Sequence, residues 1–283
     1  MATFTNRATL SYSGGSVDSN TVTGEILEAL AVQKNAVMDD YTAMDDVTYV
    51  IVLRNTGAVA LTNLTITDDL GAYTQGTETR YPLAYTVGSM NYYVNGALQP
   101  APAVTAGPPM VIQGISVPAG GTVMLIYEAS VTRYAPLGAA ATITNTATVT
   151  GNGVTAPLTA AETISTEDRA DLTISKSVCP AIVTENGQLT YTFVIENTGN
   201  TPAAAGDNVV VTDTFDPRLT GINVTFNGTT WTENVNYTYN PTTGEFATVA
   251  GQITVPAAVY TQQADGTWTV TPGASTLVVT GQV

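Results

Sequence analysis

The sequence predicts an all-β fold: two tandem Ig-like β-sandwich domains preceded by an N-terminal β-hairpin donor arm. Composition is the first ground for this. The chain is 44% hydrophobic and only 11% charged, with 14 Tyr, a balance that suits half-buried pleated strands. Pattern is the second: short alternating runs are separated by Gly, Asn and Pro turns, and no segment sustains a capped helical period. The third is an internal repeat of domain size. The 283 residues accommodate two domains. The expected divisions are 1–28 for the arm, 29–166 for a self-complete first sandwich and 167–283 for an incomplete second one.

The arm comes first. Two alternating runs, Phe4–Tyr12 and Ser16–Ile26, flank Ser13-Gly14-Gly15, a hairpin signature. A lone hairpin is not stable in water, so it needs a partner. The repeat then begins. Leu30–Lys34 matches Leu172–Lys176, Val47–Gly57 matches Leu189–Gly199, and Leu64–Asp68 matches Val209–Asp213. Tyr92–Gly96 matches Val224–Gly228, each ending in an Asn-Gly turn, and Pro118–Leu125 matches Pro272–Val279. The first unit adds Ile143–Val149, an Asn152-Gly153 turn and a return strand to Ile164. The second unit reaches Val283 where this closing hairpin would start. Phe4-Thr-Asn-Arg-Ala-Thr-Leu10 matches Ile143-Thr-Asn-Thr-Ala-Thr-Val149. The chain therefore reads as a circular shift of a two-unit tandem.

The Lys strand, the Thr-Tyr…Asn-Thr-Gly strand, the Thr-Asp strand and the Asn-x-Ala-Thr strand together resemble the bacterial surface "conserved repeat" domain, the domain-of-unknown-function family numbered eleven. The resemblance covers nearly the whole chain, twice. It implies an Ig-like sandwich, a structural role in surface stalks, and kinship with subunits of clostridial spore appendages.

An offset repeat has a physical consequence. Without a closing hairpin the second unit exposes a sheet edge and an open core, and such edges recruit strands. The acceptor edge is expected at Leu277, Val279 and Val283, with Phe4, Ala8, Leu10 and Tyr12 on one face of the arm as the plug and Asn6 among them. Burying the four would contribute on the order of 6–10 kcal/mol before costs. The short connector Ile26–Leu30 and the intervening first unit disfavour self-insertion. A head-to-tail contact between copies does not close and generates a filament. The expected partner is thus the chain itself, as a homopolymer. The alternative is a surface adhesin or ligand-binding stalk module whose arm docks on another protein.

The two lysines, Lys34 and Lys176, occupy equivalent repeat positions. Lys34, Asp68 and Asn145 fall in phase with core residues of their strands, as do Lys176, Asp213 and Asn6. A buried Lys favours its neutral amine and a buried Asp its protonated form, the requirement for an intramolecular Lys–Asn isopeptide bond of the kind known in Gram-positive pilin domains. On that reading Lys34 joins Asn145 within a chain and Lys176 joins Asn6 of the next subunit. The other reading places the lysine heads in water and the Asp and Asn side chains on turns.

Other functions are disfavoured. A net charge of −15 with eight scattered basic residues does not fit nucleic acid. No apolar run reaches membrane-span length, and the N-terminus carries no signal-peptide pattern. The absence of His and the single Cys179 remove His-based chemistry and an internal disulfide framework. Asp39-Asp40, Asp45-Asp46 and Asp68-Asp69 lack calcium-loop spacing. Trp231 and Trp268 read as core or rim aromatics. Neither an enzyme activity, a cofactor nor a metal is expected. The expected setting is an extracellular surface filament, the spore surface included.

Overall fold

The computed structural model describes residues 2–26 and 29–283. The arm boundary expected at 28 falls on Leu27 and Glu28, which lie outside the described residues, as does Met1. The described chain is all β apart from one 3-10 turn at Ala205–Asp207. It forms two compact units, Met1–Ala135 with Thr142–Ser165, and Pro136–Ala141 with Thr166–Val283. No helix among the described residues is long and apolar enough to cross a membrane.

The arm is a hairpin of β1 (Ala2–Asn6), β2 (Thr9–Tyr12), β3 (Gly15–Asp18) and β4 (Val22–Ile26). β1 pairs with β4 and β2 with β3, with the ladder broken at Arg7–Ala8. Its strands pair with no other described strand. Phe4, Leu10 and Tyr12 are 51, 66 and 60% exposed, and Asn6 and Ala8 are exposed too. The Phe4 ring lies across Gly24, where a Cβ would meet it at 2.4 Å.

The first unit continues through β5 (Leu30–Ala36), β6 (Asp40–Tyr41), β7 (Asp46–Asn55), β8 (Leu61–Asp68), β9 (Tyr73–Gln75), β10 (Glu78–Arg80) and β11 (Leu83–Tyr85). There follow β12 (Asn91–Val94), β13 (Ala97–Gln99), β14 (Ala103–Thr105), β15 (Met110–Val117) and β16 (Thr122–Val131). β17 (Thr142–Thr150) and β18 (Leu158–Thr166) close it. One sheet runs β13-β12-β16-β7-β5 and the other β14-β15-β8-β17-β18-β6. Strict alternation on β7 and β16 buries Val47, Tyr49, Ile51 and Leu53 against Val123, Leu125, Tyr127 and Ala129. Leu64, Ile66, Ile112, Ala147 and Val149 supply the facing side of the core. The Asn152-Gly153 turn forms, closed by Val154 N–H donating to the Gly151 carbonyl at 3.2 Å, within a longer loop of residues 151–157 that joins β17 to β18.

The second unit comprises β19 (Leu172–Cys179), β20 (Gln188–Asn197), β21 (Thr212–Thr214), β22 (Thr220–Phe226) and β23 (Thr229–Thr230). β24 (Tyr237–Tyr239), β25 (Glu245–Thr248), β26 (Val259–Gln262), β27 (Trp268–Thr271) and β28 (Gly273–Gln282) complete it. Its larger sheet runs β19-β20-β28-β22-β23, and its smaller one β21-β25-β24. The two registers superpose: Leu30 pairs with Asn55 and Lys34 with Ile51, while Leu172 pairs with Asn197 and Lys176 with Phe193. Both Asn-Gly turns form as read, with Asn95, Gly96, Asn227 and Gly228 all at positive φ, the geometry of a tight hairpin turn.

The acceptor edge is elsewhere than expected. β28 lies between β20 and β22, so Leu277 and Val279 sit fully buried in mid-sheet and Val283 is tied to Gly187. The β28 match is also two residues out of step: Leu277 pairs with Phe193 as Leu125 pairs with Ile51. Val279 therefore stands where Tyr127 does. The strand corresponding to β8 is β21, and it is an edge strand: it pairs on one side only, with β25.

Because the arm's apolar side chains already face solvent, Leu10→Ser should change the unfolding free energy of the unassembled chain by less than about 0.5 kcal/mol. Leu64→Ala, fully buried, should cost about 2–5 kcal/mol. Urea denaturation at low concentration compares the two.

Candidate functional site: a closed and an open lysine pocket

In the first unit the sequence-predicted trio does come together. Lys34 lies mid-strand on β5 with its side chain fully removed from solvent, and so does the Asp68 side chain at the end of β8. Lys34 Nζ donates to Asp68 Oδ2 at 2.6 Å. The Tyr127 hydroxyl donates to the same oxygen at 2.5 Å, and Asp68 Oδ1 accepts from the Leu70 N–H at 3.1 Å. The carboxylate is thus held by three donors, which is what a buried charge requires.

Asn145 reaches this cluster because β17 pairs with β8 in a register that sets Ala147 opposite Asp68. The strand is pinned at that end by Asp69 N–H donating to the Thr146 carbonyl at 3.0 Å. The Asn145 carboxamide donates from Nδ2 to the Tyr127 hydroxyl at 3.3 Å, while its Oδ1 and the Tyr49 hydroxyl are buried with no well-formed hydrogen bond among the described residues, though the two side chains interact. Tyr49 stacks on Tyr127 with centroids 5.6 Å apart and lies 5.0 Å beneath the Lys34 amine. Burial lowers the Lys34 pKa from its ordinary 10.5, partly offset by Asp68. Burial also raises the Tyr49 and Tyr127 phenols, and the Asp68 charge raises them further.

Sequence reasoning missed Tyr127 and Tyr49. The available signal was their phase with the core residues of β16 and β7, which nothing separated from that of the other tyrosines. It also missed Asn55 and Asn197, visible as the repeated Asn-Thr-Gly. Each is buried. Asn55 Oδ1 accepts from the Gly57 N–H and Asn197 Oδ1 from the Gly199 N–H, both at 2.9 Å. Their Nδ2 groups donate to the Val59 and Thr201 carbonyls at 2.8 Å, which locks the same corner in both units.

In the second unit the pocket is open. Lys176 Nζ meets Asp213 Oδ2, but the Lys176 side chain is 40% exposed. Its head lies 4.6 Å from the Tyr191 centroid and 5.4 Å from those of Phe193 and Phe215, a cation–π arrangement. β5 buries Leu30 and Lys34, whereas β19, of the same sequence pattern, buries nothing. The difference is the lid. Strand β17 covers the first pocket, and no described strand occupies the equivalent place beside β21. Asn6 is on the arm, away from both pockets in pairing and exposed. Cys179 is a free, exposed thiol. Trp231 packs on Phe226 with centroids 4.9 Å apart, and Trp268 is half-buried on β27.

Two outcomes follow. Asp68→Ala should destabilise the first unit by about 3–5 kcal/mol by leaving a buried cation unpaired, while Asp213→Ala, at a solvent-reached pair, should cost about 0–1 kcal/mol. Separate tryptophan and tyrosine signals during urea unfolding distinguish the units, since both tryptophans lie in the second. The pH dependence follows from the raised phenols: stability is retained below pH 10 and lost as pH climbs past it, because the unfolded chain ionises first. Lys34 acts oppositely, but only from its lowered value up to 10.5. The urea midpoint should therefore fall between about pH 10.5 and 11.5, and Tyr127→Phe should flatten the fall.

No family model and no curated protein matches the chain. Among solved structures, the pilus backbone of Streptococcus pneumoniae is 14% identical with a TM-score of 0.33, over 83% of this chain and 52% of that one. The match thus spans about half of the pneumococcal chain. The major pilin subunit of Bacillus cereus is 11% identical with a TM-score of 0.36, over 96% and 73%. The collagen-binding domain of a Staphylococcus aureus adhesin is 11% identical with a TM-score of 0.31, over 49% and 99%.

Proposed function

We propose that the chain is a structural subunit of an extracellular filament, pilus-like or spore-appendage-like, built from conserved-repeat surface domains. Copies join head to tail, the N-terminal hairpin of one completing the second unit of the next. One observation carries this reading. The same lysine pocket is closed in the first unit by an Asn-bearing hairpin and open in the second. A hairpin of matching sequence stands folded, with its plug residues in solvent. Strand addition supplies main-chain hydrogen bonds, and the plug residues supply the apolar contact. The contact is heterologous, so it propagates.

The same completion brings Asn6 to Lys176, where a covalent joint is chemically available. The neutral Lys176 amine attacks the Asn6 carboxamide carbon, a new C–N bond forms, the bond to Nδ2 breaks, and ammonia leaves with the amine proton. Docking removes the pocket from water and so favours the neutral amine, as burial does at Lys34. In the first unit the Tyr127 phenol intervenes between Asp68 and the carboxamide. In the second, Val279 takes that place, leaving Asp213 free to polarise the amide directly.

Deleting residues 1–26 should leave folded monomers and abolish fibres in negative-stain micrographs of the purified chain. Discrete particles from the intact chain would sink the filament reading and favour an adhesin or stalk module. Boiling filaments in SDS and weighing the peptides tests the covalent step. Complete dissolution to monomers with no loss of ammonia would exclude a Lys176–Asn6 bond.

A further inference from the structure

The segment Val209–Asp213 is sequence-matched to Leu64–Asp68 and richer in β-branched residues, yet it is strand only from Thr212 onward. Val209 is half-buried, Val210 is 45% exposed and Val211 is 7% exposed. Val211 is anchored on its β25 side, its N–H donating to Thr248 Oγ1 and its carbonyl accepting from the Thr248 N–H, both at 2.9 Å. The other side of this segment pairs with no described strand. In the first unit the corresponding side of β8 carries β17, with Ala147 opposite Asp68, Thr148 opposite Thr67, Val149 opposite Ile66 and Thr150 opposite Thr65. A cleft of about 670 Å³ opens along β21, with Asp213, Tyr239 and Phe246 among its walls.

We infer that residues 209–213 are the receiving edge for a second copy of this chain, and that β1–β2 of that copy docks antiparallel to it with Ala8 opposite Asp213. This rests on the proposed head-to-tail assembly and specifies its joint. The register follows from the two sequence matches applied to the observed pairing of β17 with β8. Thr9 then lies opposite Thr212, Leu10 opposite Val211 and Ser11 opposite Val210. Asn6, Ala8 and Leu10 share the face that looks onto Lys176, and Thr9 and Ser11 look outward. A one-residue slip would turn Leu10 to solvent and Asn6 away from the pocket, so the register is specified by burial as well as by sequence.

Docking changes both partners. The Arg7–Ala8 break in the arm has no counterpart in β17, which runs unbroken from Thr142 to Thr150. The break is held by Ala8 N–H to Ser19 Oγ at 3.0 Å and by Arg7 against Asp18 at 2.8 Å. The arm straightens there on docking, and Val209–Val211 join the strand they adjoin. Amide exchange at 209–211 should slow at least tenfold in filaments relative to monomer.

The test uses the full chain carrying Cys179→Ser with Thr9→Cys and Thr212→Cys, both outward positions, treated with a short bis-maleimide. Filaments should crosslink into an SDS-stable ladder. Filaments that form but stay unlinked would overturn the assigned edge while leaving head-to-tail assembly standing. Failure of the unmodified chain to form filaments would overturn both. For the register, Leu10→Asp should raise the critical concentration at least tenfold, and Ser11→Asp far less. The reverse order would show a slipped strand. Since Leu10 is solvent-facing in the monomer, an unchanged monomer melting curve separates lost docking from lost folding.

Discussion

An ammonium group taken out of water must meet an opposite charge and be sealed from solvent, and much of this architecture answers to that requirement. In the first unit Asp68 supplies the charge and β17 the seal. Two phenols, neither able to ionise readily, fill the remaining space around the head group. The strand that seals the lysine is also the strand that ends the sheet edge of β8. Charge burial and edge closure are therefore met by one hairpin, and a unit lacking that hairpin fails both at once. Its lysine then compromises, pairing with Asp213 while resting on aromatic faces in partial contact with water.

The arm has the converse difficulty. It carries an apolar stripe without a core to put it in, yet it must remain folded and unaggregated. The structure answers with a narrow two-stranded ladder rich in Thr and Ser, a cross-strand Arg7–Asp18 ion pair, and Thr9 bonded to Asp18 at 2.6 Å. The stripe widens to two side chains only where Val17 stands opposite Leu10, which keeps the exposed apolar patch small. The excess of acidic residues across the chain adds long-range repulsion between copies, which opposes indiscriminate sticking.

Much of the fold was legible because side-chain phase is local information. The repeat, the turns and the alignment of Lys34, Asp68 and Asn145 with core faces could all be read from short windows. Sheet order could not. β20 and β28 are neighbours across about eighty residues of chain, and only the assembled ladder shows that β28 is central and β21 terminal. That is why Leu277 and Val279 read as an edge. The two-residue offset of β28 had the same origin, since a shift of two keeps every side chain on its face and leaves the pattern unchanged. Tyr127 escaped notice because a core tyrosine announces itself only through its hydroxyl's partners.

The scarcity of lysine has a consequence of its own. Of the two ε-amines, one is sealed within its own unit and the other lies partly open, to be covered by a neighbour in the proposed assembly. An amine-directed reagent applied to a filament preparation would then react at Lys176 only where a socket is empty. In the proposed assembly each linear polymer would have one such socket at one end, whatever its length. The fraction labelled at Lys176 would then be an end-group count, the reciprocal of the mean number of subunits per polymer. The proposed assembly would thus carry a chemical measure of its own degree of polymerisation.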